Sequence, residues 1–174
     1  MEFEEIYEAT KTMVYNLALQ YVQNIDDAQD ITQEVFIAVY HKLNNFREEA
    51  NIKTWIYRIC INKSLDYIKA KKRKKRRGIL ASIFEFVSDS SKKELTNFNH
   101  PGVQLEHQEA LKQIFSCINR LPENQKTVLL LIKIEHQSAS EVAEIMKLSP
   151  KAVDSLLQRA KNNLLKEMNR AKEK

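Results

Sequence analysis

Apolar side chains recur along most of the chain at steps of three and four residues, the period of helices that bury one face. From residue 3 to 23, Phe3, Ile6, Tyr7, Val14, Leu17, Ala18 and Tyr21 share such a face and predict a packing helix. Asn24 to Asp26 interrupts the pattern; Asp26 is placed to cap the next helix, and Asp27 and Asp30 suit its positive N-terminal end. That second helix is expected to run to about Leu43. Its core stripe is Ile31, Val35, Ala38 and Val39, which leaves Asp30, Gln33, Glu34, Ile37 and Tyr40 outside. An outward face mixing acids with Ile and Tyr is either solvated or meets a basic protein partner. Residues 44 to 52 read as a loop anchored by Phe46.

The next stretch, KTWIYRICINKSLDYIKAKKRKKRR from Lys53 to Arg77, carries two patterns at once. Ile56, Tyr57, Cys60, Ile61, Ser64, Leu65 and Ile68 form a buried stripe, while Trp55, Arg58, Asn62, Asp66 and Lys69 line the opposite, exposed side. From Lys69 to Arg77 every residue but Ala70 is basic. Such a run is either a solvated helix end or a phosphate-binding surface. The Trp and Asn preceding it on the outward face are what stacking bases and following a backbone require, which favours nucleic acid.

Beyond Arg77 the composition changes. Residues 79 to 87, ILASIFEFV, are a short apolar segment that either extends the preceding helix or meets a partner. SDSSKKELTNFNHPG follows with the Ser, Asn, Pro and Gly content of a flexible connection, so 81 to 104 read as an interdomain linker. A second helical set starts near Leu105 with the stripe Leu111, Ile114, Phe115 and Ile118, ended by Leu121 and Pro122. Residues 123 to 135 predict a buried helix through Val128, Leu129, Leu131 and Ile132. Ser138 and Glu141 have capping-box spacing and open a short helix with Ala139, Val142, Ala143 and Met146 inward. Lys147, Leu148 and Ser149 make a turn. Pro150 suits the first position of the last helix with Ser149 as its cap, and Val153, Leu156, Leu157, Ala160 and Leu164 face inward. The outward set Lys151, Asp154, Ser155, Gln158, Arg159 and Asn162 can contact phosphates near the helix start and base edges in a major groove. The alternative is a plain helical hairpin with a solvated face.

Composition agrees with helices and narrows the chemistry. Only 2 Gly and 3 Pro occur in 174 residues, so the fold class expected is all-α: two small helical domains joined by a flexible linker, the C-terminal one a helix-turn-helix. The net charge of +5 hides a division. Residues 1 to 50 carry 3 Lys/Arg against 10 Asp/Glu, and residues 51 to 77 carry 11 against 1, which suggests one basic partner and one polyanion. Cys60 and Cys117 lie on apolar stripes as small buried hydrophobes. His41, His100, His107 and His136 lack zinc-type spacing, and there is no Gly-rich phosphate loop or nucleophile elbow, so no catalytic residue, metal or cofactor is expected. The acidic start lacks a signal-peptide core and no apolar run approaches membrane-spanning length, which predicts a soluble cytoplasmic protein without membrane insertion.

Three stretches, DDAQDITQEVFIAVYHKLNNF, TWIYRICINKSLDYIKAKKRKKR and LPENQKTVLLLIKIEHQSASEVAEIMKLSPKAVDSLLQRAKNNL, together resemble, in order and spacing, an extracytoplasmic-function sigma factor of bacterial RNA polymerase. The resemblance covers most of the chain apart from residues 1 to 20 and the linker. It implies a region-two domain over residues 1–80, a linker over 81–104 and a region-four domain over 105–174, without regions one and three. Asp27, Asp30, Gln33, Glu34 and Phe36 would fall in the segment that docks on the coiled coil of the β′ subunit of core RNA polymerase. Phe46, Arg47, Asn51, Lys53 and Thr54 would belong to a loop holding a base flipped from the minus-ten element of promoter DNA. Trp55, Arg58, Asn62, Asp66 and Lys69 would line the melted strand. Lys151, Asp154, Ser155, Gln158, Arg159 and Lys161 match the reader of the duplex minus-thirty-five element. Two departures stand out. The family commonly has Gly where Lys147 stands, and Asp154 and Leu156 replace residues that are often basic. The family often has an anti-sigma factor as a further partner, although no residue here identifies one.

Two other classes compete. A stand-alone repressor or activator would read a two-fold site as a dimer, but no dimer-forming heptad is present. An RNA-binding antiterminator-type protein could use the basic helix alone, which leaves the C-terminal turn motif unexplained.

Overall fold

The computed structural model describes residues 2–46, 51–84 and 105–173, and all the regular structure among them is helical. In chain order the helices are α1 (Phe3–Val22), α2 (Ile25–Leu43), α3 (Ile52–Phe84), α4 (Leu105–Ile118), α5 (Glu123–Lys133), α6 (Ala139–Met146) and α7 (Pro150–Lys172). The first three pack on one another, the last four form a second set, and α3 touches α6 across the divide.

Local chemistry sets the helix ends. Gln23 closes α1 in the left-handed region at φ 53°, its N–H bonding the Leu19 carbonyl at 2.7 Å. Asn24 rather than Asp26 then caps α2, its Oδ1 accepting the Asp27 N–H at 2.9 Å. The sequence reading places the cap at Asp26. The left-handed turn at Gln23 leaves Asn24 extended, which is the conformation a cap requires. The Ser138–Glu141 capping box forms as expected, and hydrogen bonds from Ser138 hold the Glu141 carboxyl below its usual range. Ser149 caps α7 ahead of Pro150.

The first unit is filled by Val14, Leu17, Ala18, Val35, Val39, Ile56 and Cys60, none of which exposes any surface. Burying one Val, Leu or Ile contributes about 1.5–3 kcal/mol, whereas a surface pair such as Lys11–Glu8 contributes at most about 1 kcal/mol, so packing dominates. The second unit centres on Val128, Leu130, Leu131, Val142, Val153 and Ala160. Several stripe assignments shift, Tyr7 of α1 among them, which is exposed. Ala38 is only half-buried while Ala28 and Phe36 fill the α2 core, Ile114 faces out where Cys117 faces in, and Leu156, Leu157 and Leu164 on α7 are half-covered. Helix α3 continues to Phe84, so the segment from residue 81 to 84 belongs to it rather than to a linker; the remainder of the expected linker lies outside the described residues.

Candidate polymerase and nucleic-acid interfaces

On α2, Asp30, Gln33 and Glu34 are exposed, and beside them Ile37 and Tyr40 are 58% and 62% exposed. Helix α1 widens this apolar surface: Phe3 stacks edge-on against Tyr40 at 5.2 Å, and Tyr7 against Phe36 at 4.7 Å. These side chains line a cleft of about 490 Å³. Phe36 itself is buried against Phe3 and Tyr7 and forms part of the lining of that cleft. Asp27 is also engaged. Its carboxylate accepts from the Tyr67 hydroxyl at 2.6 Å and from Lys71 at 3.0 Å, tying α2 to α3, while Glu34 pairs with Lys63 at 3.0 Å.

At the start of α3, Asn51 accepts the Lys53 N–H at 2.9 Å, and both residues are exposed. Thr54 is buried beside Ile56, the next buried position of α3. The Phe46 ring centroid lies 5.0 Å from that of Trp55, so the two form an aromatic pair at the start of α3. Arg47 lies outside the described residues. Asn62, Asp66, Lys69 and the cations from Lys71 to Arg76 are exposed, and Lys69 reaches Glu123 of α5 at 3.1 Å. The buried stripe includes Cys60, whose thiol is pushed up to about 12 by burial and is chemically inert.

Arg58 departs from the sequence reading. It is half-buried and engaged: its Nη2 and Nε donate to the Glu144 and Ile145 carbonyls at 2.6 and 3.2 Å. These are last-turn carbonyls of α6, where unpaired acceptors and the helix dipole favour a cation. A reciprocal contact runs the other way. Lys126 of α5 donates to the Tyr21 carbonyl, at the end of α1, at 3.0 Å, with its ammonium 4.8 Å from the Tyr21 ring centroid. Burial, with a smaller contribution from Lys72, lowers the Lys126 pKa to about 8. The Tyr21 hydroxyl meets Thr127 at 2.6 Å. Glu135 accepts from Gln20 at 2.5 Å and from Tyr57 at 3.2 Å, and Gln137 donates to the same Tyr57 hydroxyl. Burial and the adjacent Glu135 carboxylate raise the pKa of Tyr57, keeping it a neutral donor. No periodicity signals these pairs, because their members stand 78 to 115 residues apart.

In the second unit, α6 and α7 meet through the turn at Lys147, which adopts φ 55° and ψ 47°. Lys151, Asp154, Ser155, Gln158, Arg159 and Lys161 all lie exposed along α7, together with Asn162. The Arg159 Nε bonds the Ser155 carbonyl at 3.3 Å, an internal contact that a stronger acceptor can displace. A helix presenting this set after a tight turn is the geometry of a helix-turn-helix reader.

An acidic and aromatic face, a helix running into cations and a separate helix-turn-helix agree with the comparisons. Residues 6–74 match the family Sigma-70 region 2, and residues 111–164 match Sigma-70, region 4. The chain therefore belongs to the sigma-70 family of RNA polymerase sigma factors, in its extracytoplasmic-function group. It is 31% identical over 160 residues to the ECF RNA polymerase sigma-E factor of Haemophilus influenzae, covering 91% of this chain and 83% of that protein. It is 28% identical over 173 residues to the ECF RNA polymerase sigma factor SigW of Bacillus subtilis, covering 95% and 88%. Two solved structures share the fold: the sigma factor RpoE of Bartonella quintana in complex with the anti-sigma factor NepR (TM-score 0.65, 20% identity, 96% of each chain) and CnrH in complex with the cytosolic domain of CnrY (TM-score 0.66, 21% identity, 96% and 87%). As a sigma factor the protein binds core RNA polymerase and promoter DNA and directs promoter-specific initiation of transcription. Among the described residues no helix is long and apolar enough to cross a membrane.

Proposed function

We propose a division of this work among three surfaces. Asp30, Gln33 and Glu34 on α2, with Asp27 bracing them against α3 and Phe36 packed beneath, dock on the basic coiled coil of the β′ subunit. The loop from Phe46 to Thr54 holds a base flipped from the minus-ten element, with Arg47, Asn51 and Lys53 along its edge. Trp55, Arg58, Asn62, Asp66 and Lys69 follow the melted strand. Lys151, Asp154, Ser155, Gln158, Arg159 and Lys161 read the duplex minus-thirty-five element. The first domain spans residues 1–80 and the four further residues of α3, the second spans 105–174, and the segment between them joins the two. A base leaves the stack only where stacking and cations offset a few kcal/mol of unpairing, and the Phe46–Trp55 pair beside a cationic helix supplies both. Catalysis stays with the polymerase, and the protein acts in the cytoplasm. RpoE was solved in complex with the anti-sigma factor NepR and CnrH with the cytosolic domain of CnrY, which supports an anti-sigma factor as a further partner of this chain.

The observation that carries this reading is the exposed acidic row beside the aromatic cleft of α1 and α2. Asp30→Arg with Glu34→Arg turns attraction for a basic coiled coil into repulsion and is expected to weaken core-polymerase binding by several kcal/mol. Folding is expected to be spared, because both residues are exposed and the Lys63–Glu34 pair contributes at most about 1 kcal/mol. Unchanged polymerase affinity with normal helicity by circular dichroism sinks the assignment.

A further inference from the structure

The outward residues of α7 do not all carry the same kind of group. Lys151, Arg159 and Lys161 are cations, Ser155 and Gln158 are neutral and bond within the helix at 3.0 and 3.4 Å, and Asp154 is the acid among them. Asp154 is exposed, and among the described residues no side chain pairs with its carboxylate. The fold itself asks for no acid there. Asp154 stands at the fifth position of α7, past the first turn in which the helix dipole favours negative charge, and that first turn holds no acid. Its direction is fixed by its neighbours. Val153 and Ala160 expose no surface and seat the inner face of α7 on the second unit, so Asp154 is carried outward on the side that Gln158 occupies one turn later.

A free carboxylate on a duplex-reading helix is unfavourable against most sequences. Phosphates flank the groove, and three of the four bases present an acceptor on their major-groove edge: N7 and O6 of guanine, O4 of thymine, and N7 beside the amino group of adenine. Cytosine offers its N4 amino group with no acceptor of its own. We propose that Asp154 is a specificity-determining residue, its carboxylate accepting a hydrogen bond from the N4 amino group of one cytosine in the upstream element. This deepens the proposed function and rests on its assignment of α7 to the duplex. Much of the discrimination is repulsive, since any other base at that place leaves the charge facing an acceptor. Gln158 follows about 6 Å along the axis at about 1.5 Å per residue, and base pairs are spaced about 3.4 Å apart, so the two side chains reach pairs roughly two steps apart. A glutamine amide matches adenine at N6 and N7. The face therefore reads a cytosine and a nearby adenine, while the exposed Lys151 and Lys161 supply phosphate contacts that hold it in register.

The test uses holoenzyme reconstituted from the full chain and core polymerase, a duplex library randomised across both promoter elements, and sequencing of the molecules retained. The parent is expected to favour cytosine at one upstream position by at least about tenfold over any other base. Asp154→Ala is expected to lose the preference at that position alone and to retain unselected duplexes more tightly than the parent, because a repulsive charge is gone. Asp154→Asn is expected to move the preference there to adenine, whose N6 and N7 an asparagine amide matches. On the selected promoter, exchanging that cytosine for 2-pyrimidinone, which lacks the amino group, is expected to weaken the parent about tenfold more than Asp154→Ala. Both variants are expected to melt with the parent, since the carboxylate is exposed and unpaired. An Asp154→Ala holoenzyme that keeps the parent's preference at every position overturns the proposal, as does a 2-pyrimidinone exchange that weakens both proteins equally. If Gln158→Ala and Arg159→Ala shift upstream preferences while Asp154→Ala does not, α7 remains the reader and only the role of the carboxylate fails. If none of the three shifts any preference, α7 is not the duplex reader and the inference falls with that assignment.

Discussion

Raising the pH from about 7 to about 9 is expected to close the two units more firmly, and Lys126 is the reason. Its ammonium is buried against the Tyr21 carbonyl and ring, with Asn119 as its partner within the second unit and Lys72 as the nearby like charge. In the closed form its pKa is lowered from 10.5 to about 8. The open form regains the ordinary value as the Tyr21 contact and the Lys72 charge move away. The closed form therefore binds fewer protons than the open form between these two values, so closure releases a proton and is favoured as pH rises through that window. With both titrations included, the closing equilibrium gains about tenfold, or roughly 1.4 kcal/mol, between about pH 7 and about pH 9. Energy transfer between dyes on Glu8→Cys and Lys166→Cys, both on exposed faces, reads the separation directly. Global unfolding would be a poorer probe, because Cys60, raised to about 12, makes folding weaken as pH rises past 9.0. Lys126→Met keeps the length of the side chain without the charge and is expected to flatten the profile. Parallel profiles for parent and Lys126→Met would refute the reasoning.

Trp55→Ala in the holoenzyme is expected to slow open-complex formation more on duplex promoters than on templates already unpaired at the minus-ten element, since stacking chiefly offsets unpairing; equal losses would point to folding or plain binding. Gln158→Ala and Arg159→Ala are each expected to cost about 1–3 kcal/mol at promoters that depend on the upstream element, with a loss that moves when bases there are changed. Their contacts within α7 are exposed and long, 3.4 and 3.3 Å, so thermal stability should barely move. Lys147→Gly relieves a left-handed non-glycine residue and is expected to raise stability in urea by up to about 1 kcal/mol; a loss would mean that the Lys147 side chain contributes more than its backbone costs.

The helices and their turns were legible because they depend on near neighbours. Ser138 with Glu141, Ser149 with Pro150, and the stripe from Ile56 to Ser64 each lie within a few turns, where periodicity and capping chemistry act. Tyr21 shows where such reading stops. It was correctly placed on the inward face of α1, yet its hydroxyl reaches Thr127, 106 residues away, on a helix whose approach no local pattern encodes. Lys126 was invisible for a related reason, since a lysine between Gln125 and Thr127 looks solvated until the end of α1 is laid over it. Arg58 was placed on the correct side of α3, but that side is shared between solvent and a second unit. The family's motif marks the segments that hold Thr54 and Phe36, but not that both side chains are buried, because burial is set by the packing of α1, α2 and α3 on one another.

Helix α3 has one more consequence, which lies in its ionic atmosphere. From Lys72 to Arg76 five successive residues are cationic and exposed, on a helix that continues past them to Phe84. At about 1.5 Å per residue this concentrates five charges within roughly 8 Å of axis, a density comparable to that of a nucleic-acid backbone and opposite in sign. If all five displace cations condensed on a single strand, the logarithm of affinity falls with the logarithm of salt at a slope near −3.5, roughly a hundredfold between about 50 and 200 mM. Strand capture then becomes a function of ionic strength as much as of sequence. A cell that gains or loses potassium under osmotic stress would thereby retune this protein's grip on open DNA without altering a single residue.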